Sequence, residues 1–230
     1  MKKLRIGGNA RDTLVTLVIL WAIVVSGMAL AAGYSLWVPP WNAPDEPAHY
    51  NYVRHIATTG ELPELKPGDW DAQLLERLKS TNFPSSEPVN SIAYESHQPP
   101  LFYILASPIY KATAQFPLQE RVGALRLFSV VLSGITVMLA FMAVWTLFPQ
   151  DRPLQLAVAG FIAFLPMRSA IAGSINNDAL AEMVATLLLW MLLWITRSGF
   201  KKKQAVLLGL LMGVAVLTKM TLYGLRILAL

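Results

Sequence analysis

Cysteine is absent from the 230 residues. Its absence excludes a disulfide framework, a thiolate nucleophile and any Cys-ligated metal, and it leaves the redox compartment unread. Charge is scarce as well. Only 14% of residues are charged against 55% hydrophobic, and the mean hydropathy of +0.48 is too apolar for an ordinary soluble domain. A net charge of +5 would suit nucleic acid, yet the basic residues gather at Lys2, Lys3, Arg5 and Arg11 and again at Arg197, Lys201, Lys202 and Lys203. Both clusters flank apolar runs, so they read as topology signals and no nucleic-acid partner is expected. No repeat or low-complexity tract stands out.

What the chain does have is long apolar runs. Thr13–Leu36 carries no charge, and at roughly 1.5 Å per residue such a helix crosses a hydrocarbon core of roughly 30 Å. It is the expected first span (13–36). A cleaved signal peptide ending near Ala29-Leu30-Ala31 is the rival, but the run is longer than an ordinary signal-peptide core. Further apolar runs predict spans at 126–148, 154–167, 179–195 and 205–222. The expectation is therefore an all-α, polytopic single membrane domain with about five transmembrane helices.

Between the first two spans lies residues 37–121, which hold most of the acidic residues, all three histidines and much of the proline. Its length is several-fold that of an ordinary connection, and aromatic and apolar residues run through it, which argues against disorder. Two helices are expected inside this loop. One is Asp45–Thr58, with Asp45 as N-cap and with Asp45, His49, Tyr52 and Ile56 on one side. The other is Pro100–Thr113, too short for a comfortable span and so placed along the interface. The cluster at 197–203 then falls on the same side as the N-terminus, so the positive-inside rule makes the N-terminus cytoplasmic and the large loop extracytoplasmic. The last residues still read as membrane, and the expectation is a chain truncated at its C-terminus.

Three polar constellations carry the chemistry. Pro44-Asp45-Glu46-Pro47-Ala48-His49 follows the first span; on a helix Asp45 and His49 lie one turn apart and are expected to hydrogen-bond, giving a carboxylate that serves as general base. Asp45 as a mere cap and Glu46 as a dipole partner is the structural alternative. Tyr94-Glu95-Ser96-His97-Gln98, with Tyr103 just beyond Pro99-Pro100, offers groups that grip a phosphate or a sugar. Its alternative is a proline-terminated loop with belt aromatics. Ser174-Ile175-Asn176-Asn177-Asp178 stands at the outer end of the fourth span, and Glu182, one turn deeper, needs a partner such as Arg168 because a carboxylate at membrane depth is expensive. Arg121, Arg126 and Lys219 fall near the same face, where they suit an anionic headgroup or simply anchor span ends.

The order of these features resembles the GT-C glycosyltransferases, the multi-span enzymes that take a sugar from a polyprenyl-phosphate carrier and include the protein O-mannosyltransferases and the aminoarabinose transferase of lipid A. The likeness rests on Asp45-Glu46 with His49 after span one, Gln98-Pro99-Pro100-Leu101-Phe102-Tyr103, the Asn177-Asp178 turn and Leu217-Thr218-Lys219. It is nearest to a bacterial membrane-protein branch of that superfamily, and it covers the chain but only the N-terminal half of a typical member. The resemblance implies an inverting enzyme of the bacterial plasma membrane, with a lipid-linked sugar donor entering from the bilayer and an extracytoplasmic glycan, lipid or protein as acceptor. It implies Asp45, or else Glu46, as catalytic base, with His49 beside them. Glu95, His97, Gln98, Tyr103, Arg121, Arg126, Asn177, Asp178 and Lys219 are then the expected substrate-binding residues. The aminoarabinose transferases carry a phosphate-binding lysine before the Pro-Pro pair where this chain has Gln98, so the resemblance implies either that this duty passes to His97, Arg121 or Lys219 or that the carrier differs. A divalent metal between Asp45, Glu46 and Asp178 is an open option, with no diagnostic ligand spacing to assign it. The competing class is a non-catalytic transporter or scaffold of envelope polysaccharide assembly, or an inactive truncated remnant.

Overall fold

The computed structural model describes residues 10–84 and 88–229, with side chains to 224; the basic residues Lys2, Lys3 and Arg5 lie outside the described residues. Among the described residues there are only helices and turns. Three helices are long and apolar enough to cross a membrane: α1 (Ala10–Trp37), α5 (Leu118–Leu147) and α8 (Asp178–Ser198). Between α1 and α5 run α2 (Glu46–Thr59), α3 (Ala72–Ser80), a 3-10 turn (Tyr94–His97) and α4 (Leu101–Ala112); α6 (Arg152–Ala163), α7 (Pro166–Ala172) and α9 (Lys202–Thr218) complete the set.

α5 is the central element. It packs against α8, α1, α6 and α4, so buried residues cover most of its circumference and leave a stripe through Leu127, Val131 and Ile135 exposed. α1 instead buries one stripe, Thr16, Leu20, Val24, Gly27, Ala31 and Ser35, at the i+3/i+4 spacing of a helix face. Its other side exposes Leu14, Val18, Trp21 and Val25. Apolar residues on the outer face of an already packed bundle are what a helix bordered by lipid tails requires. Gly27 and Gly173 set how closely the helices approach: a Cβ on Gly173 would stand 2.6 Å from the Ala31 carbonyl oxygen and 3.0 Å from the Ser35 nitrogen.

The apolar runs match the first, second and fourth expected spans, with altered ends. α5 starts at Leu118 rather than 126, because Pro117 sits at its cap and the first two turns, polar as they are, continue the helix. The expected third span, 154–167, is interrupted. Pro166 holds Leu165 extended and begins a new helix, bending α6 against α7 by 59°. Taken as one broken span, the pair would raise the number of candidate spans to four. Over the expected fifth span, 205–222, α9 ends at Thr218 after 17 residues, Lys219 is extended, and a 3-10 segment follows, so α9 is not among the three candidate spans.

The helices expected in the large loop are present as α2 and α4. α4 packs against α2, α5 and α9 and buries Phe102, Tyr103, Ala106 and Tyr110, so the loop forms a core continuous with the bundle. α3 was not expected. Asp71 caps it through the Leu74 amide, and Leu75 and Leu78 anchor it in the same core.

Candidate functional site

Asp45 and Glu46 are neighbours in sequence with opposite fates. Asp45 takes the left-handed conformation, φ 59°, which turns the chain into α2 and leaves its side chain exposed. Glu46, fully buried, points into the bundle. There its two oxygens accept from Arg126 Nε at 2.7 Å and Nη2 at 2.6 Å, from the Trp41 amide at 2.9 Å and from the Ile175 amide at 3.1 Å. Arg126 donates its remaining hydrogens to the carbonyls of Ser35, Val38 and Pro39, at and just beyond the end of α1. One buried carboxylate–guanidinium pair thus ties α1, α2, α5 and the lead into α8 together.

This changes the roles expected for several residues. Arg126, 2% exposed, commits its N–H donors to the scaffold. Arg121 is similarly committed, donating to the carbonyls of Thr113 and Phe116 and to the hydroxyls of Tyr50 and Tyr110. The expected Asp45–His49 hydrogen bond is not made, because Asp45 has left the helix whose face His49 occupies; only the His49 amide reaches back, to the Asp45 carbonyl. The His49 ring instead shares a 2.9 Å hydrogen bond with the Tyr103 hydroxyl, and Tyr103 stacks on Tyr52 with centroids 3.7 Å apart. Burial, assisted by the charges of Lys219 and His97 against that of Asp178, pushes the His49 pKa down to about 3, so the ring is neutral. The three carboxylates considered for a metal also fail to converge: Glu46 is held by Arg126 and Asp178 is ion-paired with Lys219. Among the described residues no group of three His, Asp or Glu is placed to share a metal ion.

Other expected residues do come together. The Tyr94 hydroxyl donates to Asp45 Oδ1 at 2.7 Å, joining the first constellation to the second. Burial and this bond push the tyrosine pKa up, so the phenol keeps its proton and remains a donor. Glu95 is also pushed up, by burial first and with Asp45 adding to it, while Gln98, His97 and Lys219 pull the other way. Lys219 and Asp178 thereby belong to the same electrostatic neighbourhood as the 94–98 turn. Tyr103 lies beneath it, raised well above the usual phenol range by burial and by the charges of Glu95, Asp178 and Asp45. At the start of α8, Asn177 is fully buried with both side-chain polar atoms unpartnered, and Gln98 Oε1 is likewise buried without a partner. Buried amides are normally satisfied, so these two are exceptions, Asn177 directly preceding the residue that pairs with Lys219. Glu182 does pair with Arg168, at 2.8 Å.

Asp45 stands on the wall of a cavity of about 270 Å³ whose lining includes Trp41, Pro47, Lys79, Phe83 and Tyr94. Lys79 was not among the expected site residues, and Tyr94, which opens the second constellation, had no expected role of its own. Lys79 follows the α3 anchors Leu75 and Leu78, and the Asp71 cap with that leucine spacing was the signal available for it. Exposed Asp45, buried Glu46 and the Asp178–Lys219 pair differ in chemistry: one free acceptor, one scaffold acid and one fixed cation. Comparison of the chain with protein-family models, with curated proteins and with solved structures returns no match.

Proposed function

We propose that this chain is the catalytic membrane portion of a GT-C type glycosyltransferase, which moves a sugar from a polyprenyl-phosphate carrier to an extracytoplasmic acceptor. The observation that carries the reading is the separation of the two adjacent acids. Asp45 is exposed on a cavity wall and oriented by Tyr94, while Glu46 is locked to Arg126. A base needs access to the proton it removes.

In this mechanism an acceptor hydroxyl attacks the anomeric carbon of the donor while Asp45 takes its proton. The bond from the anomeric carbon to the phosphate oxygen breaks, and the electron pair leaves with the polyprenyl phosphate, inverting the centre. Lys219, held in place by Asp178, offsets the charge developing on the leaving phosphate. The unpartnered Asn177 Nδ2 suits a phosphate oxygen of such a donor, and the unpartnered Asn177 Oδ1 and Gln98 Oε1 suit its hydroxyls. The loop faces outward and the cluster at 197–203 inward.

The test is transfer by the purified chain in lipid nanodiscs from a panel of radiolabelled polyprenyl-phosphate sugars. Asp45→Asn abolishes turnover while leaving thermal stability in place. Undiminished transfer by that variant would remove Asp45 from the mechanism.

A further inference from the structure

Among the described residues, four that are not glycine take the left-handed backbone conformation: Trp41 at φ 74°, Asp45 at 59°, Asn82 at 54° and Phe83 at 50°. Three of them line one cavity, the space of about 270 Å³ that holds Asp45, and the fourth directly precedes Phe83. For a bulky aromatic residue this conformation is a true outlier, and it persists only where the surroundings enforce it. Here they do. The Trp41 amide donates to Glu46 Oε2 at 2.9 Å and the Phe83 amide to the Leu78 carbonyl at 2.7 Å, while the Trp41 ring packs edge-on against Tyr50. Two aromatic side chains are thus held at the Asp45 cavity against their own backbone preference.

The charged groups of the lining narrow what fits beside those rings. Among the described residues Asp45 is its one carboxylate and Lys79 its one cation, and neither is ion-paired. A cationic ligand meets the like charge of Lys79, and a phosphate meets that of Asp45. Phosphate also has no C–H face to set against Trp41, Phe83 or Tyr94. A neutral hydroxylated ring satisfies every part of the lining: one hydroxyl donates to Asp45, another accepts from Lys79, and the slightly positive C–H face lies on the negative face of an aromatic ring. The volume is just below the roughly 300 Å³ at which drug-sized sites begin, so one ring sits inside and the rest of a longer molecule lies outside. We propose that the Asp45 cavity binds one neutral sugar ring and, resting on the transferase reading, that this ring belongs to the acceptor, which makes the acceptor a glycan rather than a peptide or a lipid chain. The hydroxyl that donates to Asp45 is then the one that attacks.

The experiment is saturation-transfer NMR on the full chain in nanodiscs, without donor. The probes are the methyl glycosides of glucose, galactose, mannose and N-acetylglucosamine, with choline, phenylalanine and inorganic phosphate as competitors. At least one glycoside is expected to bind saturably, with the C–H protons of one ring face most strongly saturated and no displacement by an equal concentration of any competitor. Phe83→Leu keeps the apolar bulk but removes the aromatic face, and is expected to weaken binding about 3- to 10-fold, while Phe83→Tyr retains it. Lys79→Met, at an exposed position of α3, is expected to weaken binding severalfold with the melting temperature unchanged. Absence of saturable glycoside binding overturns the proposal. So does displacement by choline, phenylalanine or phosphate, or undiminished binding by both Phe83→Leu and Lys79→Met. Glycoside binding with no transfer to any of these glycosides from the donor panel counts against the transferase reading and leaves the sugar site standing. Transfer to a serine peptide without glycoside binding does the reverse.

Discussion

The guanidinium of Arg126 grips the carboxylate of Glu46 from 80 residues away in the chain, through hydrogen bonds of 2.6 and 2.7 Å in a fully buried setting. Removing one partner leaves a charge buried and unpaired, which costs far more than the pair contributes. Glu46→Gln and Arg126→Met are each expected to lower stability by about 3–5 kcal/mol. A double-mutant cycle read by thermal unfolding in detergent should show strong coupling. Independent, additive losses would mean that the pair does not join α2 to α5.

Asp45→Asn provides the contrast one residue earlier. Asparagine tolerates the left-handed conformation at least as well as aspartate, so the φ of 59° is kept and the Tyr94 hydroxyl retains an acceptor. Stability should change by less than about 1 kcal/mol, while sugar transfer is lost. Lys219→Ala should reduce transfer about 10- to 100-fold by removing a cation from the leaving group, with Lys219→Arg recovering part of it. A large stability loss in Asp45→Asn would make that position structural.

His49 gives the protein a pH dependence of definite sign. Its pKa is about 3 when folded against 6.5 when unfolded, so below 6.5 the unfolded chain binds the extra proton. Its contribution to stability is intact above pH 6.5 and lost progressively as the pH falls toward 3, at a slope of up to about 1.4 kcal/mol per pH unit. His49→Gln should flatten the difference in melting temperature between pH 7 and pH 4.5 while keeping a partner for Tyr103. An unchanged profile in that variant would place the sensitivity elsewhere.

Helix approach at Gly173 is a packing prediction. A methyl group there meets backbone atoms of α1 at 2.6 and 3.0 Å, which cannot be relieved by a side-chain rotation. Gly173→Ala is expected to destabilise by about 1–3 kcal/mol. Gly209→Ala and Gly213→Ala, in α9, meet nothing within 4 Å and should be neutral or slightly stabilising. Equal melting temperatures for all three variants would show that α1 and α7 are not so closely apposed.

Orientation can be read directly, because the chain has no cysteine to give background labelling. Cysteines introduced at Ser80 in α3 and Ser198 at the end of α8 should respond oppositely to an impermeant thiol reagent on intact cells. Labelling is expected at residue 80 and not at residue 198. The reverse pattern would invert the proposed topology.

Hydropathy alone located α1, α5 and α8, because an uninterrupted apolar run long enough to span lipid has few other stable forms. Local chemistry likewise placed α2 and α4: Pro47 and Pro100 suit helix starts, and the apolar spacing that follows is helical. The break at Pro166 and the early start of α5 were written in the prolines but hidden under continuous hydrophobicity. Which of two adjacent acids is free was beyond any local reading. Asp45 and Glu46 look equivalent until a left-handed residue turns one outward and Arg126, with two backbone amides, draws the other in. The same holds for Arg121 and Arg126, cations by composition and scaffold by contact. Apolar periodicity is a property of neighbours along the chain, whereas the partner that neutralises a buried charge comes from a distant segment, so only the tertiary structure decides which charges remain available for chemistry.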